Sequence, residues 1–155
     1  MNRMPVVESY MTASPHSIGA DQTLSTARVL MNKHKIRHLP VMRAGKLIGL
    51  VSSRDLDFVE AVAGVDPAKV TVEDAMSQEP YCVPLGTPLD EVAIEMARRR
   101  YGSAIVVEGE KLRGVFTTVD ALRVLGETLR RLAAADVKPL AAPRQARAMK
   151  KVARA

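Results

Sequence analysis

Two short stretches of the chain end alike. Residues 47–56 read LIGLVSSRDL and residues 112–121 read LRGVFTTVDA. In each, an apolar run gives way to a pair of hydroxyls, and an aspartate stands three residues after the first: Ser52 with Asp55, Thr117 with Asp120. A hydroxyl where a strand meets a helix can cap the helix by accepting from its exposed N–H groups, and an aspartate in the first turn suits the positive helix end. The same pair can do a second job. A carboxylate held at a helix start accepts two hydrogen bonds from adjacent sugar hydroxyls, as the acidic residues that read ribose do. Spacing alone fits both. Arg54 lies inside the first motif, at a helix N-terminus that already favours anions, while Val119 occupies the matching place in the second. Two unequal sites are expected, the one at Asp55 better suited to phosphate.

Other chemistry is thin. His16, His34 and His38 share no metal-ligand spacing with an acidic pair, and the single cysteine, Cys82, makes neither a metal cluster nor an internal disulfide. There is no Gly-rich phosphate loop of the Walker type. No serine-nucleophile motif and no pair of catalytic carboxylates is evident. The reading is a protein that is not an enzyme and carries neither a metal nor a catalytic cofactor.

Composition sets the remaining bounds. Apolar residues make up 47% of the 155, enough for a core without staples. The lone cysteine points to a reducing compartment, and no apolar run approaches membrane-spanning length. A soluble, cytoplasmic protein with no membrane partner is expected. The net charge of +6 is unevenly placed: Lys138, Arg144, Arg147, Lys150, Lys151 and Arg154 form a basic stretch with no acidic residue, leaving a neutral body. A neutral body is a poor platform for a duplex. A nucleic-acid or acidic-partner adaptor function is therefore confined to residues 136–155, read as a mostly disordered tail without aromatics to stack on bases.

What must position the two motifs is a repeat. A constant offset of 65 aligns residues 7–59 with 72–124 without a gap: Met11 with Met76, Leu24 with Leu89, Met31 with Met96, Gly49 with Gly114, Asp55 with Asp120. Each copy opens with a short helical turn, VVESYM or VEDAM, and then a short strand, HSI or YCV. A helix follows. Thr23 and Thr87 read as N-caps, with Pro88 at the first helical position. Leu24, Ala27, Leu30 and Met31 form one apolar stripe, Leu89, Val92, Ala93, Met96 and Ala97 the other, and the basic runs KHK and RRR close the helices. HLPVM and AIVVE are strands, turned at Gly45 and Gly109 into LIGLVS and LRGVFT. The second helices are expected over 54–63 and from about Val119 to Ala135. Neither copy, at about 60 residues, hides its apolar faces alone. Two copies packed sheet to sheet around a pseudo-twofold axis would. The expected domains are 5–63 and 71–135, joined by a linker at 64–70 that Gly64 and Pro67 keep from being helical.

The helix–IRHLPV–turn–LIGLVSSRDL order, repeated once, resembles a tandem pair of cystathionine-β-synthase (CBS) domains, a Bateman module, over residues 5 to about 130. Copy two departs from the pattern at Ile105 and Val119, where copy one has Pro40 and Arg54. The resemblance implies an α+β fold of two β-α-β-β-α units packed through their sheets, with clefts that bind AMP, ADP, ATP or S-adenosylmethionine. It also implies regulation of a partner protein, and pairing into a homodimer. Carried onto this chain, ribose falls to Ser52, Asp55, Thr117 and Asp120. The base falls to Thr12, His16, Ile18 and Pro40 with Arg37 and His38 beside them, and in the second copy to Ser77, Tyr81, Val83, Gly102 and Ser103. Phosphate falls to Arg37, His38 and Arg54, with His38 expected to make phosphate affinity pH-sensitive. A purely structural dimerisation module with empty clefts is the alternative.

Overall fold

The computed structural model describes residues 4–135. One compact body holds the residues up to Ala121, hence copy one and all of copy two but most of its last helix; a second begins at Leu122.

Copy one contains β1 (Thr12–Ala13), β2 (Ile18–Gly19), α1 (Leu24–His34), β3 (His38–Arg43), β4 (Lys46–Ser52) and α2 (Ser53–Glu60), after a 3₁₀ turn at Val7–Ser9. Copy two contains α3 (Val72–Ala75), β5 (Cys82–Pro84), α4 (Leu89–Arg99), β6 (Ser103–Glu108), β7 (Lys111–Thr117) and α5 (Thr118–Ala134). This is the mixed α+β arrangement of two β-α-β-β units that the repeat predicts. The apolar stripes bury at their centres: Leu24, Ala27 and Met31 of α1, and Leu89, Val92 and Met96 of α4, are each at most 5% exposed, while Leu30 and Ala93 are half-buried and Ala97, at the margin of its stripe, is exposed. Both helices end on a left-handed residue, Lys35 and Arg100. Gly45 and Gly109 take the positive φ their hairpin turns require.

The sheets show how the copies are joined. One has the order β1-β7-β6-β5, the other β2-β3-β4. β1 therefore leaves its own copy and lies antiparallel on β7, Thr12 opposite Val115. The exchange is reciprocal. Ser77, the counterpart of Thr12, bridges Leu50 of β4, with Ser77 N–H donating to the Leu50 carbonyl at 2.8 Å and Leu50 N–H to the Ser77 carbonyl at 3.0 Å. Helix starts are treated the same way. Val7 N–H donates to the Thr87 carbonyl and Leu89 N–H to the Pro5 carbonyl, each at 2.9 Å. Sixty-five residues away, Val72 N–H donates to Gln22 at 2.8 Å and Leu24 N–H to Val70 at 3.0 Å. The matching pairs give the body its pseudo-twofold symmetry.

This exchange corrects one local expectation. Thr87 does not cap α4: its hydroxyl donates to the Pro84 carbonyl at 2.7 Å, and Pro88 occupies the N-cap without a side-chain bond. The first N–H of α4 is satisfied by Pro5 instead, so a capping side chain is not needed there. Thr23, by contrast, does cap α1 through Thr26 N–H. Helix α2 ends at Glu60, short of the expected 63.

Side chains lock the exchange. Gly49 and Gly114 sit mid-strand, where a glycine marks close approach of another group. A Cβ on Gly49 would stand 2.5 Å from the Met76 sulfur and 2.7 Å from the Ser77 carbonyl oxygen; one on Gly114 would collide with the Met11 thioether. Each copy thus plugs a methionine from its leading segment into a glycine gap in the other's sheet. The basic stretch expected at 136–155 lies outside the described residues.

Candidate functional site

Each repeated ending folds as the junction of a strand and a helix. β4 stops at Ser52 and α2 begins at Ser53; β7 stops at Thr117 and α5 begins at Thr118. Ser52 N–H and Oγ–H both donate to Asp55 Oδ2 at 2.7 Å, and Asp55 N–H returns to Ser52 Oγ at 3.4 Å. Thr117 repeats this on Asp120 Oδ2 at 2.9 and 2.9 Å, with the return bond at 3.5 Å. These are capping boxes. A third, Thr71 with Asp74, opens α3 with the same geometry, so the box alone does not make a binding site. The first two differ in standing where a strand runs directly into a helix. Among the described residues Asp55 Oδ1 takes no hydrogen bond, so a second pair of donors can reach this carboxylate without uncapping α2. Asp120 is more enclosed, at 5% exposure against a half-buried Asp55.

Around Ser52 the neighbouring strand brings His38, which lies opposite it in the β3–β4 register. The Arg37 carbonyl accepts from Ser53 N–H at 2.9 Å, fixing Arg37 beside the start of α2. Arg37 and Arg54 are exposed and His38 is half-buried. Burial pushes the His38 imidazole below its ordinary pKa; the Arg37 charge adds to this, Asp55 opposes it, and Arg54 lowers it further. The fold thus gathers Ser52, Asp55, Arg37, His38 and Arg54, spread over 19 residues of sequence, at one end of one sheet.

The second cluster is its counterpart with fewer charges. Ser103 lies opposite Thr117, and the Gly102 carbonyl accepts from Thr118 N–H at 3.1 Å. Ser103 is 4% exposed and its Oγ is buried with no hydrogen-bond partner among the described residues, an unusual state for a hydroxyl. The clusters touch. A Cβ on Gly102 would stand 2.7 Å from His38 Nε2, so the imidazole of one copy fills the space that the glycine of the other leaves.

The remaining expected residues are distributed differently from the sequence grouping. Thr12 is exposed on the sheet of copy two, and Ser77 is exposed beside β4 of copy one: each is placed next to the other copy's motif. Ile18 and Val83 belong to the cores, at 4% and 5% exposure, and Pro40 is buried in β3. Pro40 also explains an asymmetry. In copy two Ile105 N–H donates to the Tyr81 carbonyl at 2.8 Å. Pro40, at the place of Ile105, has no N–H for His16, and β2 begins only at Ile18. His16 stacks instead on His34, ring centroids 3.6 Å apart, while Tyr81 stacks on Tyr101 at 5.3 Å. Sequence reasoning missed these stacks and the exchange. The mid-strand glycines were the available signal for the exchange.

A depression of about 240 Å³ lies elsewhere, lined by Lys46, Leu47, Cys82, Val107, Gly109 and Glu110. Lys46 opens β4 and Ser52 closes it, about 20 Å apart along the strand, so this depression is not part of either cluster. Among the described residues no group of three or more His, Cys, Asp or Glu is placed to hold a metal, and no helix is long and apolar enough to cross a membrane.

Comparison with known proteins bears on the repeat as a whole. The family model of the CBS domain matches residues 7–59 and 72–127. Hypoxic response protein 1 of Mycobacterium tuberculosis is 26% identical over 125 residues, covering 80% of this chain and 87% of that one. Inosine-5'-monophosphate dehydrogenase of Staphylococcus haemolyticus is 27% identical over 122 residues, covering 76% of this chain. This chain spans only 24% of that dehydrogenase. Among solved structures, the CBS domain pair of protein MJ0100, in complex with 5'-methylthioadenosine and S-adenosyl-L-methionine, is similar with a TM-score of 0.75 and 26% identity, covering 81% of this chain and 99% of that one.

Proposed function

The chain belongs to the CBS domain family, and from that premise we propose that it is a regulatory module that binds an adenosine-containing ligand, AMP, ADP, ATP or S-adenosylmethionine, works as a homodimer, and signals to a protein partner through conformation or assembly. The observation that carries this reading is the duplicated strand–helix junction, with a carboxylate at each and, at Asp55, an oxygen not used by the cap. The 26%-identical MJ0100 pair holds adenosine derivatives, which supports the ligand class.

Asp55 would grip the ribose diol through Oδ1 while Oδ2 keeps capping α2. Arg37, His38 and Arg54 would face the phosphate, since the helix start and the two guanidinium groups favour an anion there. At the second cluster Asp120 would take the sugar. The orphaned Ser103 hydroxyl would gain a partner from the base, and Val119 in place of Arg54 leaves that site with less attraction for phosphate. Thr12 and Ser77 would border the bases, each beside the other copy's motif. A ligand touching both copies at once would bias their arrangement, which is the differential binding a signal requires.

Isothermal titration with AMP, ATP and S-adenosylmethionine tests this. Asp55→Asn is expected to weaken nucleotide binding about tenfold or more, as two hydrogen bonds to a charged acceptor are lost. Asp120→Asn is expected to act mainly on the less charged ligand. Absence of heat for all three ligands, or an unchanged isotherm in the double variant, would defeat the proposal.

A further inference from the structure

The two clusters meet at one side chain. His38 lies opposite Ser52, at the Asp55 end of its own sheet, yet its ring turns the Nε2 edge to the other copy. A Cβ on Gly102 would stand 2.7 Å from His38 Nε2 and 3.2 Å from Cε1. Gly102 is itself part of the second junction: its carbonyl accepts from Thr118 N–H at 3.1 Å, at the first residue of α5. Ser103, next along, lies opposite Thr117 and carries the buried hydroxyl without a hydrogen-bond partner among the described residues. Thr117 in turn donates to Asp120 Oδ2 through N–H and Oγ–H, each at 2.9 Å. In a close-packed interior the position of the His38 ring and the position of these groups are one packing problem. The device exists once. Under the offset of 65, Ser103 stands in the place of His38 and Arg37 in the place of Gly102, so no imidazole of copy two presses on the junction of copy one.

Charge can move this ring. Burial holds the imidazole below its ordinary pKa; Arg37 adds to this, Asp55 opposes it, and Arg54 lowers it further. An anion beside Arg37 and Arg54 offsets their repulsion and gives the imidazolium a partner. A ring drawn to that anion leaves the Gly102 gap.

We propose, resting on the ligand reading above, that His38 is a positioning residue of the second cluster as well as a phosphate residue of the first, and that an anion held beside Asp55 weakens adenosine binding at Asp120. With the ring withdrawn, Gly102 loses its packing partner, the bond from Thr118 loses its backing, and the Asp120 junction is held less firmly. The effect is mutual by linkage: adenosine at the second cluster weakens the anion at the first by the same factor.

Two probes that do not compete read this coupling. Tripolyphosphate has neither base nor sugar, so it loads the Arg37, His38 and Arg54 group. Adenosine has no phosphate, and Asp55→Asn removes its sugar contact at the first cluster. Calorimetric titration of adenosine into the whole chain carrying Asp55→Asn is expected to show binding that saturating tripolyphosphate weakens about fivefold, the lower end of ordinary couplings between sites. Adding Arg54→Val is expected to raise the tripolyphosphate concentration required and to leave that factor unchanged at saturation. Adding His38→Asn is expected to remove the factor while Arg37 and Arg54 still hold the anion. Adenosine that fails to bind would sink the ligand reading and this inference with it. Adenosine binding that ignores tripolyphosphate, or a coupling that survives His38→Asn, would overturn this inference alone and leave the ligand reading standing.

Discussion

His38 carries two relationships at once: it faces Ser52 and the charges of its own copy, and its ring occupies the gap at Gly102 of the other. Burial, Arg37 and Arg54 hold its folded pKa below the ordinary value, with Asp55 only partly opposing them. The unfolded chain therefore takes up the proton first as pH falls. Stability is full above the ordinary histidine value, declines as pH drops through it toward the depressed folded value, and levels off below that. His34 is displaced the same way, by burial first and then by the His16 and Lys33 charges. His38→Gln is thus expected to flatten, not abolish, the fall in melting temperature between pH 7.5 and pH 5.5; an identical fall in the variant would mean the imidazole does not couple to folding. Bound phosphate would reverse the sign at this residue by favouring the imidazolium. At this scale the sequence was legible only in part. Ser52-x-x-Asp55 and Thr71-x-x-Asp74 look alike in a string of letters and form the same capping box in space. What separates them is the paired strand that runs into the helix at Ser52 and is lacking at Thr71, a pairing no local spacing encodes.

Elements were read more fully. Periodicity fixed α1, α4 and the two hairpins because apolar stripes and turn glycines act within a few residues. The exchange of leading segments escaped for a physical reason: pairing β1 with its own sheet or with that of the other copy leaves every local pattern unchanged. Only Gly49 and Gly114 betray it, since a strand weakened by glycine needs a neighbour that uses the space. Gly114→Ala is expected to cost about 1–3 kcal/mol through overpacking against Met11, lowering the melting temperature by several degrees. Met11→Ala opens a gap of its own, so Gly114→Ala/Met11→Ala should be less unstable than the two separate losses combined. Strict additivity in calorimetry would show that the methionine does not fill the glycine gap.

For the whole molecule, what counts is that both sheets, each built mainly from one copy, lie in a single body. The core of copy one includes Val72, which the sequence assigns to copy two. Cutting the chain after Asp66 is expected to give two fragments that are each largely unfolded, since each lacks the strand, the methionine plug and the helix-start carbonyls that the other supplies. Mixed, they are expected to regain the circular dichroism of the intact protein in a one-to-one complex. A cooperative melt from either fragment alone would refute this.

The reciprocal strands also say what half of the chain would do alone. A lone unit of this design could complete its sheet only against a twin, so a single copy expressed by itself is expected to pair with another of its own kind. The two halves are free to differ on their surfaces, as Arg54 and Val119 do, but not in how they hold hands.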